Sequence, residues 1–187
     1  MRFAVFIRPS GRNGATISGM HTMRRKDKEI TSPEVIDGIL SSGQVCHLAL
    51  HDDPYPYVVP MNYGFRLVVA KPPGADSRVL YFHGACEGRK LELIRRNPRA
   101  AFVIDMDHKL ITAEVADRFT MQYRSVMGTG IITVLEDPAE KRAGLDAIMA
   151  HYSDRAGWSY PEAMVQTMAV FALKVEELSG KRSPAGT

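Results

Sequence analysis

The chain has 187 residues, of which 45% are hydrophobic and 24% are charged, and its formal net charge is +3. This length suits one domain with a sizeable core, and the composition is that of a globular protein rather than a disordered or fibrous one. The cations are scattered among acids instead of forming a run with aromatic residues, which argues against nucleic acid as a partner.

Two further features of the sequence indicate the compartment. Residues 1–22 contain no apolar run long enough for a signal peptide or a membrane span. Cys46 and Cys86 form no Cys-x-x-Cys pattern, as expected of free thiols in a reducing environment. We therefore expect a cytoplasmic protein that has no membrane partner.

The two ends of the chain are predicted to lie outside the folded domain. We expect residues 1–22 to be a disordered extension, which is either an upstream translation start or a tail that orders against a partner. Residues 23–182 are predicted to form a single domain, and residues 183–187 a flexible tail.

The first half of the domain is predicted to begin with a helix and continue in strands. A capping pattern at residues 31–34 and apolar residues at helical spacing predict a helix over residues 33–41. Residues 45–50 and 57–63 form a predicted hairpin around a polar turn, and residues 65–70 add a strand before a loop at 71–77. Pro60 lacks an N–H group, so we expect it at a sheet edge, at a bulge or where a ligand meets the backbone.

The second half of the domain continues this pattern. Strands are predicted at residues 79–82, 100–107, 120–134 and 168–175, and helices after Gly88, at 138–151 and after Pro161. Residues 109–118 and 176–187 are predicted to be irregular. Gly128 and Gly130 share one face of the longest strand, which indicates a bend, a barrel corner or the close approach of another backbone or ligand.

The strands come in a run rather than alternating with helices, so the sequence predicts a mainly β (α+β) protein. A small antiparallel barrel with peripheral helices is the simplest closed arrangement, because closure removes exposed sheet edges.

The segment from strand 79–82 into the following helix carries the most specific chemical signal. Gly88, Arg89 and Lys90 begin that helix, although two cations in a first turn are unfavourable by roughly 0.3–1 kcal/mol each. A bound anion would make the interaction of these two cations with the helix end favourable, since free N–H groups, two cations and a glycine together form a phosphate site. The alternative is an exposed helix end whose long side chains point into water. The spacing is not that of a nucleoside triphosphate loop.

Six segments carry a family resemblance: residues 23–27, 45–50, 57–64, 80–90, 123–130 and 178–181. In this order they resemble the pyridoxamine 5′-phosphate oxidase-like flavoproteins, and most closely the nitroimidazole-resistance (Nim) group. The resemblance implies a split β-barrel homodimer that binds flavin mononucleotide (FMN) in a cleft between its subunits. It also implies that Arg89 and Lys90 hold the phosphate, in agreement with the site derived above.

The resemblance also assigns the remaining cofactor residues. The flavin ring would be lined by five consecutive residues, Val58, Val59, Pro60, Met61 and Asn62, and His83 would lie beside it. Tyr123 and Ser125 match a strand that reaches the cofactor, and Lys181 matches a basic position near the carboxyl terminus. His83 is the predicted catalytic residue, because an imidazole can donate a proton at neutral pH. The alternative is a histidine that is hydrogen-bonded within its turn.

The carboxyl terminus departs from the phosphate oxidases, which end in a segment rich in Trp and Arg that binds the substrate phosphate. The resemblance therefore implies a flavin reductase that acts on a small electron-poor molecule, such as a nitroaromatic, rather than on pyridoxamine phosphate. The alternative is a non-catalytic protein of the same fold that carries flavin, deazaflavin or haem. His47 and His51 share a strand face but have no further ligand nearby in sequence, so we expect no metal site.

Overall fold

The computed structural model describes residues 23–69 and 76–183. The expectations for residues 1–22, for residues 71–75 of the predicted loop at 71–77 and for the last four residues lie outside the described chain. The described chain contains four α-helices and eight strands, besides two short 3-10 turns: β1 (Glu29–Ile30), α1 (Pro33–Ser42), β2 (Cys46–Leu50), β3 (Tyr57–Met61), β4 (Gly64–Val68), β5 (Ser77–Ala85), α2 (Arg89–Arg96), β6 (Arg99–Ile111), β7 (Thr120–Leu135), α3 (Pro138–Tyr152), α4 (Glu162–Thr167) and β8 (Met168–Arg182).

All eight strands belong to one antiparallel sheet. Seven follow the order β3-β2-β6-β7-β8-β5-β4, and β1 pairs with the far end of β8. Strands β3 and β4 lie at opposite edges of this order, yet only Asn62 and Tyr63 separate them in the chain. The two edge strands do not pair with each other, so the sheet curls into a split barrel rather than a closed one. The predicted antiparallel split barrel is thus confirmed. The barrel is not closed, however, and β3 and β4 remain as edge strands.

The link across the split is fixed by hydrogen bonds. The buried Tyr63 donates its backbone N–H to the hydroxyl of Tyr152 at 3.1 Å and its own hydroxyl proton to the carbonyl of Leu40 at 2.8 Å. Tyr152 in turn donates to the carbonyl of Gln44 at 2.7 Å. These bonds tie the β3–β4 link to α1 and α3, so they also fix the end of β3.

Two cores lie on the two faces of β5 and β8. Leu80 and Phe82 of β5 point into the main core inside the barrel, with Phe171 and Leu173 of β8. Alternate residues of the same strands, together with the end of β7 and the inner face of α3, form a second core: Val79, Tyr81, Leu135, Leu145, Ala147, Ile148, Val170 and Ala172. Strands β5 and β8 are therefore covered on both faces, which makes β5 a rigid platform for the residues at its end.

Most predicted elements are confirmed, including the hairpin of β2 and β3 and the edge position of Pro60. Two predictions of irregular structure were wrong. Strand β6 continues to Ile111 past a register shift between Met106 and Lys109, where Asp107 adopts a φ of 58°. Strand β8 continues to Arg182, and its register with β7 jumps from Val175 to Glu177.

The close approach expected at Gly128 and Gly130 is also confirmed. A Cβ atom added at Gly128 would meet the ring of Phe102, and one added at Gly130 would overlap the carbonyl oxygen of Lys174. Neighbouring protein atoms therefore account for both glycines.

Candidate functional site

Helix α2 begins at an open glycine turn. Gly88 has a φ of 107°, a left-handed conformation that favours glycine, and a Cβ added there would meet no atom within 4 Å. The N–H groups of Leu91 and Glu92 donate to the carbonyl of Gly88 at 3.0 and 3.2 Å, so the backbone donors left without a partner in the helix are those of Arg89 and Lys90, as is usual at a helix amino terminus. Backbone donors and open space therefore adjoin Arg89 and Lys90, as the phosphate hypothesis requires.

The ammonium group of Lys90 has fewer hydrogen-bond acceptors in the described chain than it has N–H donors. Its Nζ lies 3.2 Å from Sδ of Met61 and 5.7 Å from the ring centroid of Phe171. A thioether is a weak acceptor, and in the described chain Lys90 forms no ion pair with a carboxylate. Burial lowers the pKa of Lys90 below its ordinary value. A half-buried ammonium group with unused N–H donors fits an anionic ligand, so these residues suit the phosphate of FMN.

Arg89 is arranged differently from Lys90. Its Nε and Nη2 atoms lie 2.8 and 2.6 Å from Oδ2 of Asp52, which is in the turn between β2 and β3. Nη2 of Arg96 contacts the other oxygen, Oδ1, at 3.0 Å. The hydrogen bond from Arg89 is the largest influence that lowers the pKa of Asp52. From the sequence, Asp52 is predicted only as part of the polar turn between residues 50 and 57, because no local pattern marks a pair separated by 37 positions.

His83 lies near the end of β5, where it is paired with Val170 of β8. Burial lowers the pKa of His83, and the positive charge of Lys90 lowers it further, so the imidazole is neutral at neutral pH. Strand alternation places Gly84 on the face that Lys90 approaches, since a Cβ added at Gly84 would lie 3.0 Å from its Nζ. His83 consequently points towards the other face of β5.

The predicted ring-lining segment forms β3 and the start of the link to β4. Val59 and Met61 pack against the main core, whereas Val58, Pro60 and Asn62 are exposed. Among these five residues, Met61 is the one that contacts the phosphate candidate Lys90. The structure thus brings one end of β3 to the beginning of α2.

The other three predicted cofactor residues form a separate cluster. Ser125 of β7 pairs with Lys181 of β8, and Nζ of Lys181 lies 6.0 Å from the ring centroid of Tyr123. Lys181 is eleven residues along β8 from Val170, the partner of His83, which corresponds to about 36 Å of strand. Within one chain, Lys90 and Lys181 therefore lie towards opposite ends of β8.

A cavity of about 530 Å³ lies elsewhere. It opens on the outer face of the sheet among His51, Pro56, Arg99, Thr129 and Glu177, and no predicted site residue lines it. Cys46 is buried and Cys86 is exposed, and both are free thiols. In the described residues no group of three His, Cys, Asp or Glu side chains could hold a metal, and no helix is long and apolar enough to cross a membrane.

An open antiparallel barrel whose two edge strands do not pair with each other defines a class, the split-barrel proteins. Comparison with known families identifies the chain more closely, because the sequence profile of the pyridoxamine 5′-phosphate oxidase family matches residues 32–182. The chain therefore belongs to that family. No curated protein matches the sequence.

Three solved structures show how the family fold recurs. A candidate 5-nitroimidazole antibiotic resistance protein from Bacteroides thetaiotaomicron is 30% identical, with a TM-score of 0.70 over 82% of this chain and 86% of that one. An FAD and heme binding protein from Mycobacterium smegmatis is 21% identical, with a TM-score of 0.71 over 84% and 74%. The flavocytochrome Anf3 from Azotobacter vinelandii is 20% identical, with a TM-score of 0.72 over 93% and 77%. The last two comparisons establish the shared fold.

Proposed function

We propose that the protein is an FMN-dependent oxidoreductase of the flavin reductase type, which reduces a small electron-poor substrate such as a nitroaromatic. The observation that carries this proposal is the half-buried ammonium group of Lys90, whose only acceptor within the described residues is a thioether and which lies beside the free N–H groups of α2. Because the chain belongs to the pyridoxamine 5′-phosphate oxidase family, we infer that the anion bound by Lys90 is the phosphate of a flavin. The similarity to the candidate nitroimidazole resistance protein supports a nitroaromatic substrate.

The residues of this chain would divide the work of binding and protonation. Lys90, Arg89 and the backbone at Gly88 would hold the phosphate, and β3 from Val58 to Asn62 would line the flavin ring. Bound FMN would supply the two-electron chemistry of the reaction. His83 is neutral and can accept a proton from solvent before it donates that proton to the substrate, so it remains the proposed acid.

A homodimer completes this proposal, because Tyr123 and Ser125 of β7 and Lys181 of β8 lie together, towards the end of β8 that is remote from Lys90 in the same chain. A second copy could bring its own cluster of these residues to the first copy's Lys90. The outer sheet face offers a surface for it, since Val58 and Met127 there are 58% and 40% exposed. Apolar surface of this kind favours association. We place the dimer in the cytoplasm, in agreement with its free thiols.

The position of His83 favours a second candidate function. Strand alternation turns His83 away from the face of β5 on which Lys90 lies. A flavin ring bound on the Lys90 face would then lie out of reach of the imidazole, and His83 would not act as an acid. The same fold would then bind flavin, deazaflavin or haem as a carrier or sensor without turnover.

One experiment separates these functions. The purified protein is denatured, the released chromophore is identified, and the native protein is mixed without oxygen with NADH or NADPH and then with a nitroaromatic. The enzyme proposal predicts released FMN, its bleaching by one donor, and reoxidation by the substrate at a rate that His83→Gln lowers at least tenfold. Bound flavin that is reduced and reoxidised equally slowly in both variants would support the carrier instead.

A further inference from the structure

We propose that Asp52 is a positioning residue of the phosphate site, which holds Arg89 by one edge of its guanidinium group and leaves the other edge for phosphate oxygens. This inference rests on the proposed function, because it concerns how the same phosphate site is built. Asp52 would not touch the cofactor itself; it would act through Arg89.

The geometry of the three charged groups carries this inference. Asp52 belongs to the turn between β2 and β3, and it receives both arginines from one face of α2, because Arg89 and Arg96 are two helical turns apart. The Asp52 side chain is only 9% exposed, whereas the side chains of Arg89 and Arg96 are 65% and 60% exposed. A shielded carboxylate therefore anchors two side chains that otherwise extend into solvent.

Each oxygen of Asp52 is occupied. Oδ2 accepts both contacts from Arg89, and Oδ1 accepts from Arg96 at 3.0 Å and from the backbone N–H of Asp53 at 3.0 Å. The carboxylate is thus fixed from three directions and cannot easily rotate with the arginine that it holds.

Arg89 has N–H donors that its contacts with Asp52 do not use. A guanidinium group has five N–H donors, and the contacts to Asp52 use its Nε and Nη2 atoms. The Nη1 edge is left over, which matches the two-point geometry that phosphate oxygens accept. The guanidinium carbon also lies 5.5 Å from the ring centroid of Tyr57, a second restraint on its orientation. Asp52 therefore preorganises a solvent-exposed side chain at the first position of α2.

The test compares FMN with riboflavin, which has the same ring but no phosphate. Dissociation constants are measured by quenching of flavin fluorescence for the natural protein and for Asp52→Asn, Arg96→Gln and Asp53→Asn. Asp53 is the matched control, because it is exposed in the same turn and its side chain makes no described contact with either arginine.

We expect Asp52→Asn to weaken FMN binding about fivefold, the scale of one exposed ion pair, and to leave riboflavin binding unchanged. Arg96→Gln should weaken FMN binding by a smaller factor, because it frees one oxygen of Asp52. Asp53→Asn should bind both flavins like the natural protein. A change limited to the unfolding temperature, with the FMN to riboflavin ratio preserved, would mean that Asp52 is only a stabilising partner and would overturn the inference.

Two other results are equally clear. Tighter FMN binding by Asp52→Asn would show that Asp52 competes with the phosphate, which contradicts a positioning role. If the natural protein bound neither flavin, the proposed function would fail together with this inference, whereas normal FMN binding by all the variants would overturn the inference alone. Arg96→Gln leaves Asp52 and Arg89 intact and provides the test if Asp52→Asn does not fold.

Discussion

Replacing Lys90 by methionine should change ligand binding and stability in opposite directions. The side chain keeps a similar length but loses its charge. In the ligand-free protein this charge is half-buried, and among residues 23–69 and 76–183 the Met61 sulfur is the only acceptor that it contacts. A hydrogen bond to a charged group contributes about 1.5–3 kcal/mol. The variant should therefore bind FMN about 10- to 150-fold more weakly.

The unfolding free energy of the ligand-free variant should rise. Lys90 lies in the first turn of α2, where a cation is unfavourable by about 0.3–1 kcal/mol, and this cost disappears with the charge. We expect a gain of that size in urea denaturation of the ligand-free protein. Such a gain is characteristic of a residue retained for binding rather than for folding.

Arg95→Met is the matched control for this prediction. It removes the same charge from the same helix, but from the last turn, where a cation is favourable. It should lower the unfolding free energy slightly and leave FMN binding unchanged. If Lys90→Met bound FMN as tightly as Arg95→Met, or if it were less stable than the natural protein, the assignment of Lys90 to the phosphate would be refuted.

Three further predictions concern stability. The pKa of His83 in the folded protein lies below its ordinary 6.5, so the unfolded chain binds a proton at His83 more readily. The contribution of His83 to stability is therefore complete above about pH 6.5 and is lost as the pH falls through the folded pKa. His83→Gln should flatten this part of a plot of melting temperature against pH. Asp37→Ala leaves the buried Arg78 without the carboxylate that it contacts from 2.5 and 2.9 Å, and should cost about 3 kcal/mol in urea denaturation; a cost below about 1 kcal/mol would contradict the importance of this pair. Gly130→Ala should cost about 1–3 kcal/mol because its Cβ has no room, whereas Gly38→Ala, in open space on α1, should gain about 0.5–1 kcal/mol; equal effects would contradict the packing.

The parts of the fold that follow from local chemistry were predictable. Ser32 caps α1 by accepting from the N–H of Val35, and Gly88 begins α2 with a left-handed conformation. Both signals lie within a few residues of the element that they start. The phosphate hypothesis at Arg89 and Lys90 rested on the same kind of local evidence.

The parts that failed depend on distant partners. Glu176 interrupts the alternation of β8 at its register shift against β7, so the pattern disappears although the strand continues. In β6 the left-handed backbone of Asp107 likewise interrupts the alternation at a register shift, although the strand continues. In both cases the other strand supplies the hydrogen bonds, and a single segment does not reveal them.

The site shows the same limit. The sequence placed Arg89 next to Lys90 but gave no indication that Asp52, from another hairpin, would hold one and not the other. Nor did it show that Lys181 would lie on a paired strand remote from Lys90, since the tail was expected to be irregular. Side-chain contacts between elements depend on sheet register, which the sequence determines only as a whole.

The most direct test of the account is a crystal structure of the protein with FMN bound. We predict phosphate oxygens within hydrogen-bond distance of Nζ of Lys90 and of the first N–H groups of α2, with Arg89 still paired to Asp52. Lys181 should approach the same cofactor from the partner subunit. Density for FMN elsewhere on the chain, or a phosphate that Lys90 does not contact, would contradict the central claim.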